Sequence, residues 1–414
     1  MTGSSLKDII GVKGDELKNK KIVLCITGSI AALHSPEVAH ELMRYGANIF
    51  AAMSPMSQKI IHPYAMEWAT GNPVVTEITG QTENIQLVGE HPEKADLVLV
   101  APATDNTISK IAGGINDTSV TAMALTALGS HIPLLVCPAM HKSMYSNAII
   151  AENVKRLKTL GIDFIEPRSE EGKAKIASTE EIVDNVIQKL TSKKMNGLYV
   201  LVTAGSTCEH IDPLRIITNK SSGKMGIAIA REALRRGAEV TLIYGSGIAQ
   251  APPNAKVIRV DKTEDMHTAV TSELKSKKYD ILVATAAVAD YTPQQKYDYK
   301  LGTSSAPELK LTLKPTAKII DEVKKISSKT FLIAFKAEFN LPDGKLVKNA
   351  YNCLKRSHAD LVVVNDVGKK DRGFNVDTNE VFVIDSDQNK VKIPLSSKND
   401  IAKKIFDLTL KKLN

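Results

Sequence analysis

Three short loops in the first half of the chain carry residues that could bind a small ligand, and each follows an apolar run. Gly28-Ser29-Ile30-Ala31-Ala32 follows Lys21–Ile26. Its small residues allow backbone N–H groups to approach a phosphate at a helix N-terminus, and Ser29 adds a hydroxyl. A tight strand–helix turn explains the same residues equally well, because the segment is not a GxGxxG fingerprint. Ala101-Pro-Ala-Thr-Asp-Asn-Thr107 presents Thr104, Asn106 and Thr107, and Pro138-Ala-Met-His-Lys-Ser-Met-Tyr145 presents His141, Met144 and Tyr145. One such loop is usually a capped turn; three after successive strands converge on one sheet edge. In the second half, Ser221, Ser222 and Gly223 stand before a helical run. Ala286 and Ala287 permit close ligand approach, and Asp290 can accept hydrogen bonds or cap a helix.

These loops need rigid elements behind them. Lys21–Ile26 and Tyr199–Ala204 read as continuous apolar strands, the pattern of a parallel sheet buried on both faces. Strands then alternate with helical segments. Ser35–Tyr45 ends at Gly46 before strand Ala47–Met53; strand Asp96–Ala101 precedes helix Asn106–Ala112; strand Pro133–Cys137 precedes a helix beyond Met144. Later, Gly226–Arg236 ends at Gly237 before strand Glu239–Tyr244, and strands Asp280–Ala284 and Asp360–Val364 follow. Such alternation predicts two doubly wound α/β domains with sites at the carboxyl ends of the strands. A polar stretch before Leu198 puts the boundary near 190–197, giving domains 1–192 and 193–414.

Composition bounds the function. The chain has 414 residues, 43% hydrophobic and 24% charged, which excludes long disorder and fibrous repeats. No apolar run reaches the roughly 18–20 residues of a membrane helix, and the polar start Met1–Lys20 is unlike a secretory signal, so a cytoplasmic, membrane-free protein is expected. Cys25, Cys137, Cys208 and Cys353 lie far apart and read as reduced thiols, not a zinc site. The formal charge of +8 is lopsided. Residues 1–190 hold 17 Lys and Arg against 21 Asp and Glu; residues 191–414 hold 37 against 25. The basic half suits a polyanionic ligand, although solvated lysines explain the count as well. Nucleic acid is disfavoured, because aromatics are only 5% and do not interleave with the basic residues.

The motifs carry a resemblance. Thr27-Gly-Ser-Ile-Ala-Ala, Glu67-Trp-Ala-Thr-Gly-Asn-Pro-Val-Val, Ala101–Thr107 and Pro138–Tyr145 resemble segments of the flavin-dependent cysteine decarboxylases, nearest to phosphopantothenoylcysteine decarboxylase. Val202-Thr-Ala-Gly-Ser-Thr, Asp212-Pro-Leu-Arg-Ile-Ile-Thr-Asn-Lys-Ser-Ser-Gly-Lys-Met-Gly226, Ala286-Ala-Val-Ala-Asp-Tyr291, Phe335-Lys-Ala-Glu338 and Asn365-Asp-Val resemble phosphopantothenate–cysteine ligase. The resemblance spans residues 20 to 400 and implies a bifunctional enzyme of coenzyme A biosynthesis. Its expected fold is a flavodoxin-like flavoprotein domain followed by a Rossmann-like ligase domain.

For the first domain the resemblance implies FMN, with Gly28, Ser29, Ser54, Thr104, Asn106 and Thr107 around it and His141, Met144 and Tyr145 lining the substrate. In that chemistry the flavin withdraws electrons from the cysteine side chain, CO2 leaves, and the electrons return, so the net reaction is redox-neutral. The family histidine in a Glu-His-x-x-Leu context is here Asn84, in Glu83-Asn84-Ile85-Gln86-Leu87. Asparagine cannot exchange a proton near neutral pH, so decarboxylation is expected to be impaired; His91 is a substitute only if it is not part of an exposed turn. The flap segment Glu166–Ile176 lacks the family cysteine, leaving Lys173 or Lys175 as alternative proton donors.

For the second domain the resemblance implies activation of 4′-phosphopantothenate by CTP, with Mg2+, followed by attack of cysteine on an acyl-cytidylate. Asn219 and Lys300 match catalytic positions, with Lys296 as a rival to Lys300. Ser221, Ser222, Ala286, Ala287, Asp290, Lys300, Phe335 and Lys355 are the implied CTP contacts, and Lys224 and Arg356 are further cations. No metal ligands are assigned. Lys300 would lie on a loop before an amphipathic strand, Glu308–Leu313. Ligase dimers and decarboxylase trimers, possibly in a dodecamer, are the implied assembly.

Overall fold

Parallel strands buried on both faces must be apolar at nearly every position, and this is how the central strands of each half are built. In the computed structural model, which describes residues 8–170, 173–302 and 308–413, the chain divides between Ser192 and Lys193 into two compact units.

The first unit holds a six-stranded parallel sheet. Its order is Val74–Val75, Asn48–Met53, Lys21–Ile26, Leu97–Ala103, Leu134–Pro138, Asp163–Phe164. Without the two-residue edge strand Val74–Val75, this is the flavodoxin order 2-1-3-4-5. The expected flavodoxin-like arrangement is therefore present with one short strand added. Residues alternate between two cores: Ile22, Leu24 and Ile26 pack on one face, Val23 and Cys25 on the other. The helix Ser35–Arg44 starts with Pro36 in its first turn and gives way to Gly46 at φ 96°, a turn that glycine adopts without strain.

The second unit holds an eight-stranded sheet. Its order is Lys256–Arg259, Glu239–Tyr244, Tyr199–Ala204, Ile281–Ala284, Phe331–Glu338, Leu361–Asp366, Thr378–Asp385, Lys390–Ser397. The first six strands are parallel in the Rossmann order 3-2-1-4-5-6, and the last two are antiparallel. Val200 and Val202 face the helices Lys224–Arg235 and Lys398–Leu413; Leu201 and Ile243 face the opposite core with Met266 and Leu346.

One expected element differs. The strand lies at Leu313–Pro315, where Tyr291–Pro293 pairs with it, and not over Glu308–Leu313. Alternation of Leu309, Leu311 and Leu313 mimics a strand, but all three are exposed, and a strand forms only where a partner supplies the ladder. All four cysteines are free and buried. No helix among the described residues is long and apolar enough to cross a membrane.

Candidate active sites

In open α/β sheets the ligand crevice opens where strand order reverses, at the carboxyl ends of the strands. In the first unit the reversal lies between Lys21–Ile26 and Leu97–Ala103. Thr27, fully buried there, joins the two loops: its hydroxyl donates to the Pro102 carbonyl at 2.7 Å and accepts from the Thr104 N–H at 3.0 Å. Ser29 caps the short helical turn Ile30–His34. A Cβ on Gly28 would lie 2.3 Å from Met56 Cγ, so the loop can approach Met56 only as glycine. Ser54 is buried beside them, its N–H donating to the Ile26 carbonyl at 3.0 Å. Thr104 caps the helix Asp105–Gly113, accepting from the Thr107 N–H at 3.3 Å, and Asn106 is exposed in its first turn. The fold thus collects all six of these positions, on loops and the first turn of one helix, at the carboxyl ends of neighbouring strands.

The loop after Leu134–Pro138 also leaves this edge. His141 caps Lys142–Tyr145, and its Nδ1 lies 2.8 Å from the Ser143 hydroxyl. Met144 is exposed. Tyr145 donates to Glu166 at 3.1 Å, and burial together with that carboxylate pushes its phenol well above the usual range. Met140–His141 pairs with Lys173–Lys175, which pairs in turn with Arg168–Glu170, so the flap segment is tied to the His141 loop through backbone. Glu171 and Gly172 of that segment lie outside the described residues.

Asn84 lies on the helix Glu83–Val88, and its amide donates to the Thr126 hydroxyl at 2.8 Å. His91 ends the following turn: its Nε2 is 2.7 Å from the Gln86 carbonyl, and its Nδ1 accepts from the Glu93 N–H at 3.2 Å. Both ring nitrogens serve the turn.

In the second unit the order reverses between Tyr199–Ala204 and Ile281–Ala284, and a cleft of about 560 Å3 opens there, a size that suits a nucleotide or cofactor. Ser221, Ser222 and Gly223 lead into the helix Lys224–Arg235 at one wall. Gly226 rests on the sheet so closely that a Cβ would lie 2.4 Å from Ala204 Cβ. The opposite wall is Ala286, Ala287 and Asp290, with Ala287 N–H donating to the Gly205 carbonyl at 2.8 Å. Asn219 bridges the walls, its amide donating to the Val288 carbonyl at 2.9 Å. Phe335 also lines the cleft. Tyr244 underlies the rim: a Cβ on Gly205, Gly223 or Gly247 would come within 3.0, 2.6 or 2.6 Å of its side chain.

Two predicted contacts lie elsewhere. Lys355 is placed 4.5 Å from the ring of Tyr351, one turn back on its own helix, while its neighbour Arg356 lines the cleft and pairs with Asp321 at 3.0 Å. A shift of one position turns a helical side chain by about 100°, so sequence offsets alone do not separate the two. Lys300 is exposed outside the cleft lining. The residue after it is anchored, Leu301 N–H to Asp212 at 3.2 Å and Leu301 carbonyl from Arg215 at 3.0 Å; part of its loop, residues 303–307, lies outside the described residues. The rival Lys296 pairs with Glu209 at 3.6 Å. Glu209 is itself buried and accepts from Thr292 at 2.6 Å and the Thr263 N–H at 2.9 Å.

Four cleft cations, Lys220, Lys318, Lys336 and Lys398, were not singled out in the sequence. Lys318 is ion-paired with Asp290. Lys398 is buried, and burial lowers its ammonium pKa to about 8, with Lys224 adding repulsion and Asp377 opposing it. Lys398 stands 177 positions from Ser221, and no local pattern marks it. Among the described residues no cluster of three His, Cys, Asp or Glu could hold a metal.

Known proteins match both halves. Residues 11–191 match the Flavoprotein family, and residues 195–413 match the family described as DNA/pantothenate metabolism flavoprotein C-terminal domain. The chain is 52% identical over 403 residues to the coenzyme A biosynthesis bifunctional protein CoaBC of Thermococcus kodakarensis, covering 97% of this chain and 98% of that one. It is 37% identical to the protein of the same name from Methanocaldococcus jannaschii, covering 96% and 95%. A crystal structure of a C-terminal domain of such a bifunctional protein aligns at 31% identity with a TM-score of 0.45, over 54% of this chain and 98% of that one. Matched along nearly its whole length and in both halves, the chain belongs to the family of coenzyme A biosynthesis bifunctional proteins.

Proposed function

We propose that the second half joins 4′-phosphopantothenate to cysteine at the expense of CTP, and that the first half decarboxylates the 4′-phosphopantothenoylcysteine so formed. The observation that carries this reading is the cleft at the second switch point, where a helix N-terminus, two serines and several cations face one another across Asn219. The N–H groups around Ser221–Lys224 suit nucleotide phosphates. Ala286 and Ala287 leave room for the nucleoside, Asp290 accepts hydrogen bonds from it, and Phe335 packs against the base. Asn219 holds the acyl-cytidylate. Lys300 approaches from its loop to neutralise pyrophosphate, and Arg356 serves the phosphates in place of Lys355. Any Mg2+ arrives mainly on phosphate oxygens, since it keeps water and substrate ligands readily.

The first half fits FMN: Gly28 lets its loop close on Met56 without a side chain in the way, and the hydroxyls of Ser29, Ser54, Thr104 and Thr107 lie on the segments that follow the strands at the switch point. Bound there, the flavin supplies the electron sink that decarboxylation of a saturated amino acid needs. His141 and Tyr145 orient the substrate, and Met144 lies against it. The protein works in the cytoplasm on these small molecules as a homo-oligomer of ligase dimers and decarboxylase trimers; the exposed Leu214 and Ile216 on the Asp212 segment, and Trp68 and Tyr64 in the first unit, are apolar surface available for contacts between copies.

A second reading is favoured by Asn84, whose amide is engaged with Thr126 and has no titratable proton. In it the first half binds flavin but turns over poorly. An absorption spectrum of the purified protein and CO2 release from 4′-phosphopantothenoylcysteine decide between the two. A flavin band with brisk CO2 release supports full bifunctionality and sinks the Asn84 reading; a band with little release supports it. CTP-dependent CMP formation with cysteine tests the ligase, and its absence would remove that assignment.

A further inference from the structure

We propose that Lys398 is a positioning residue for the phosphate-facing turn of the ligase half, acting through the segment Gly373–Asp377. Lys398 is the first residue of the C-terminal helix Lys398–Leu413, and its side chain is turned inward, 6% exposed. Its ammonium donates to the Gly373 carbonyl at 2.9 Å, to the Phe374 carbonyl at 3.4 Å and to the Val376 carbonyl. Its backbone N–H donates to the Asp377 carbonyl at 2.9 Å. One lysine thereby fixes one turn at four places.

That turn holds the phosphate-facing wall. The Phe374 carbonyl that Lys398 touches also accepts the Ser222 hydroxyl, and Asp377 pairs with Lys224 at 2.7 Å. Ser222 and Lys224 flank Gly223, which caps the helix Lys224–Arg235. The path is therefore continuous: Lys398 sets the turn, the turn sets Ser222 and Lys224, and these set the N–H groups that meet the nucleotide. An ammonium suits this task because three donors leave one atom in different directions and reach three carbonyls. A buried cation is costly unless hydrogen-bonded, and here all three donors are used for the turn.

The charged groups facing Lys398 are Lys224 and Asp377; Arg372, next to the turn, is paired with Glu380 at 3.5 Å, and Asp400 on the lysine's own helix accepts from Ser397 at 2.6 Å. Losing the Lys398 proton removes one donor and one positive charge behind the phosphate site. Nucleotide affinity should then fall as pH rises through about 8.

The inference rests on the proposal that CTP phosphates bind at this helix N-terminus. The experiment titrates the full chain with CTP and Mg2+ by calorimetry between pH 7 and 9, in wild type, Lys398→Met and Lys398→Arg, and measures ligation kinetics beside it. Lys398→Met should weaken CTP binding at pH 7 by tenfold or more and raise the KM for CTP, leaving the KM for cysteine within twofold. Lys398→Arg should recover part of the affinity and lose the fall with pH. Wild type that fails to bind CTP overturns the function and the inference together. Wild type that binds CTP with Lys398→Met within twofold overturns the inference alone. If Lys398→Met does not fold, wild-type affinity that is flat from pH 7 to 9, or an Arg variant with an unchanged fall, overturns it.

Discussion

At the residue scale, the roles assigned in the ligase cleft can be tested one side chain at a time. Asn219→Asp keeps the size of the side chain but replaces the donor to Val288 with a carboxylate, which would repel phosphates bound as proposed. CTP-dependent condensation should fall by a factor of about a hundred or more, as for loss of a preorganised polar group at a reacting centre, measured as CMP released per minute. Lys300→Gln should fall comparably, and retained activity in both variants would remove these two residues from the site. Asp212 gives a pH test. Desolvation alone would push its carboxyl up, but the N–H groups of Leu214, Leu301 and Arg215 and the Arg215 guanidinium hold it down at about 2. A folded pKa below the unfolded one adds stability that is complete above the unfolded value near 4 and is lost as pH falls towards 2. Asp212→Asn should therefore unfold at lower urea than wild type at pH 7, and the gap should narrow from pH 4 downward. These residues were legible because Asp212, Asn219, Ser221 and Ser222 stand in one contiguous segment. Lys398 and Lys318 were not, because they meet that segment only through the fold; the Ser222 bond to Phe374 spans 152 positions.

At the element scale, the helix Lys224–Arg235 is set by contact between its first turn and the end of the first strand of its sheet. Gly226→Ala puts a methyl 2.4 Å from Ala204 Cβ and 2.5 Å from Thr285 Oγ1. Neither neighbour has a flexible far end, so overpacking should cost about 1–3 kcal/mol and move the helix start. The checks are a urea denaturation curve and the KM for CTP, both of which should worsen. Strand positions were readable here because continuous apolar runs such as Tyr199–Ala204 have one use, a sheet covered on both sides. The run Glu308–Leu313 was misread for the complementary reason. Alternation describes a face, and it takes a neighbour to make a strand; the neighbour Tyr291–Pro293 meets only Leu313–Pro315. The one-residue ambiguity between Lys355 and Arg356 is likewise a matter of helix phase, which depends on how Asp343–Ser357 packs.

At the scale of the whole molecule, each unit carries two hydrophobic cores of its own, one on each face of its sheet. Residues 193–414 produced alone should therefore unfold in urea cooperatively with an unchanged midpoint, and should still form CMP from CTP when given 4′-phosphopantothenate and cysteine. A lowered midpoint would show that the flavoprotein half stabilises the ligase half. The charge asymmetry seen in the sequence acquires a place at this scale. Lys220, Lys224, Lys318, Lys336, Arg356 and Lys398 line one cleft in the basic half, and several are already paired with carboxylates.

Tyr244 places a constraint on inheritance. Three glycines from separate stretches of chain lean on one ring, so none of the four positions can drift alone. Gly205 and Gly223 sit at φ 77° and 76°, where side chains are strained whatever the space. Gly247 does not, and the phenolic oxygen, 2.6 Å from where its Cβ would stand, is a principal obstacle there. A genetic selection started from Tyr244→Phe, which deletes that oxygen and its bond to the Ala249 carbonyl, should recover Gly247→Ala as a second-site suppressor. The same alanine in a wild-type background should be deleterious, and the order in which the two changes arise would then be fixed.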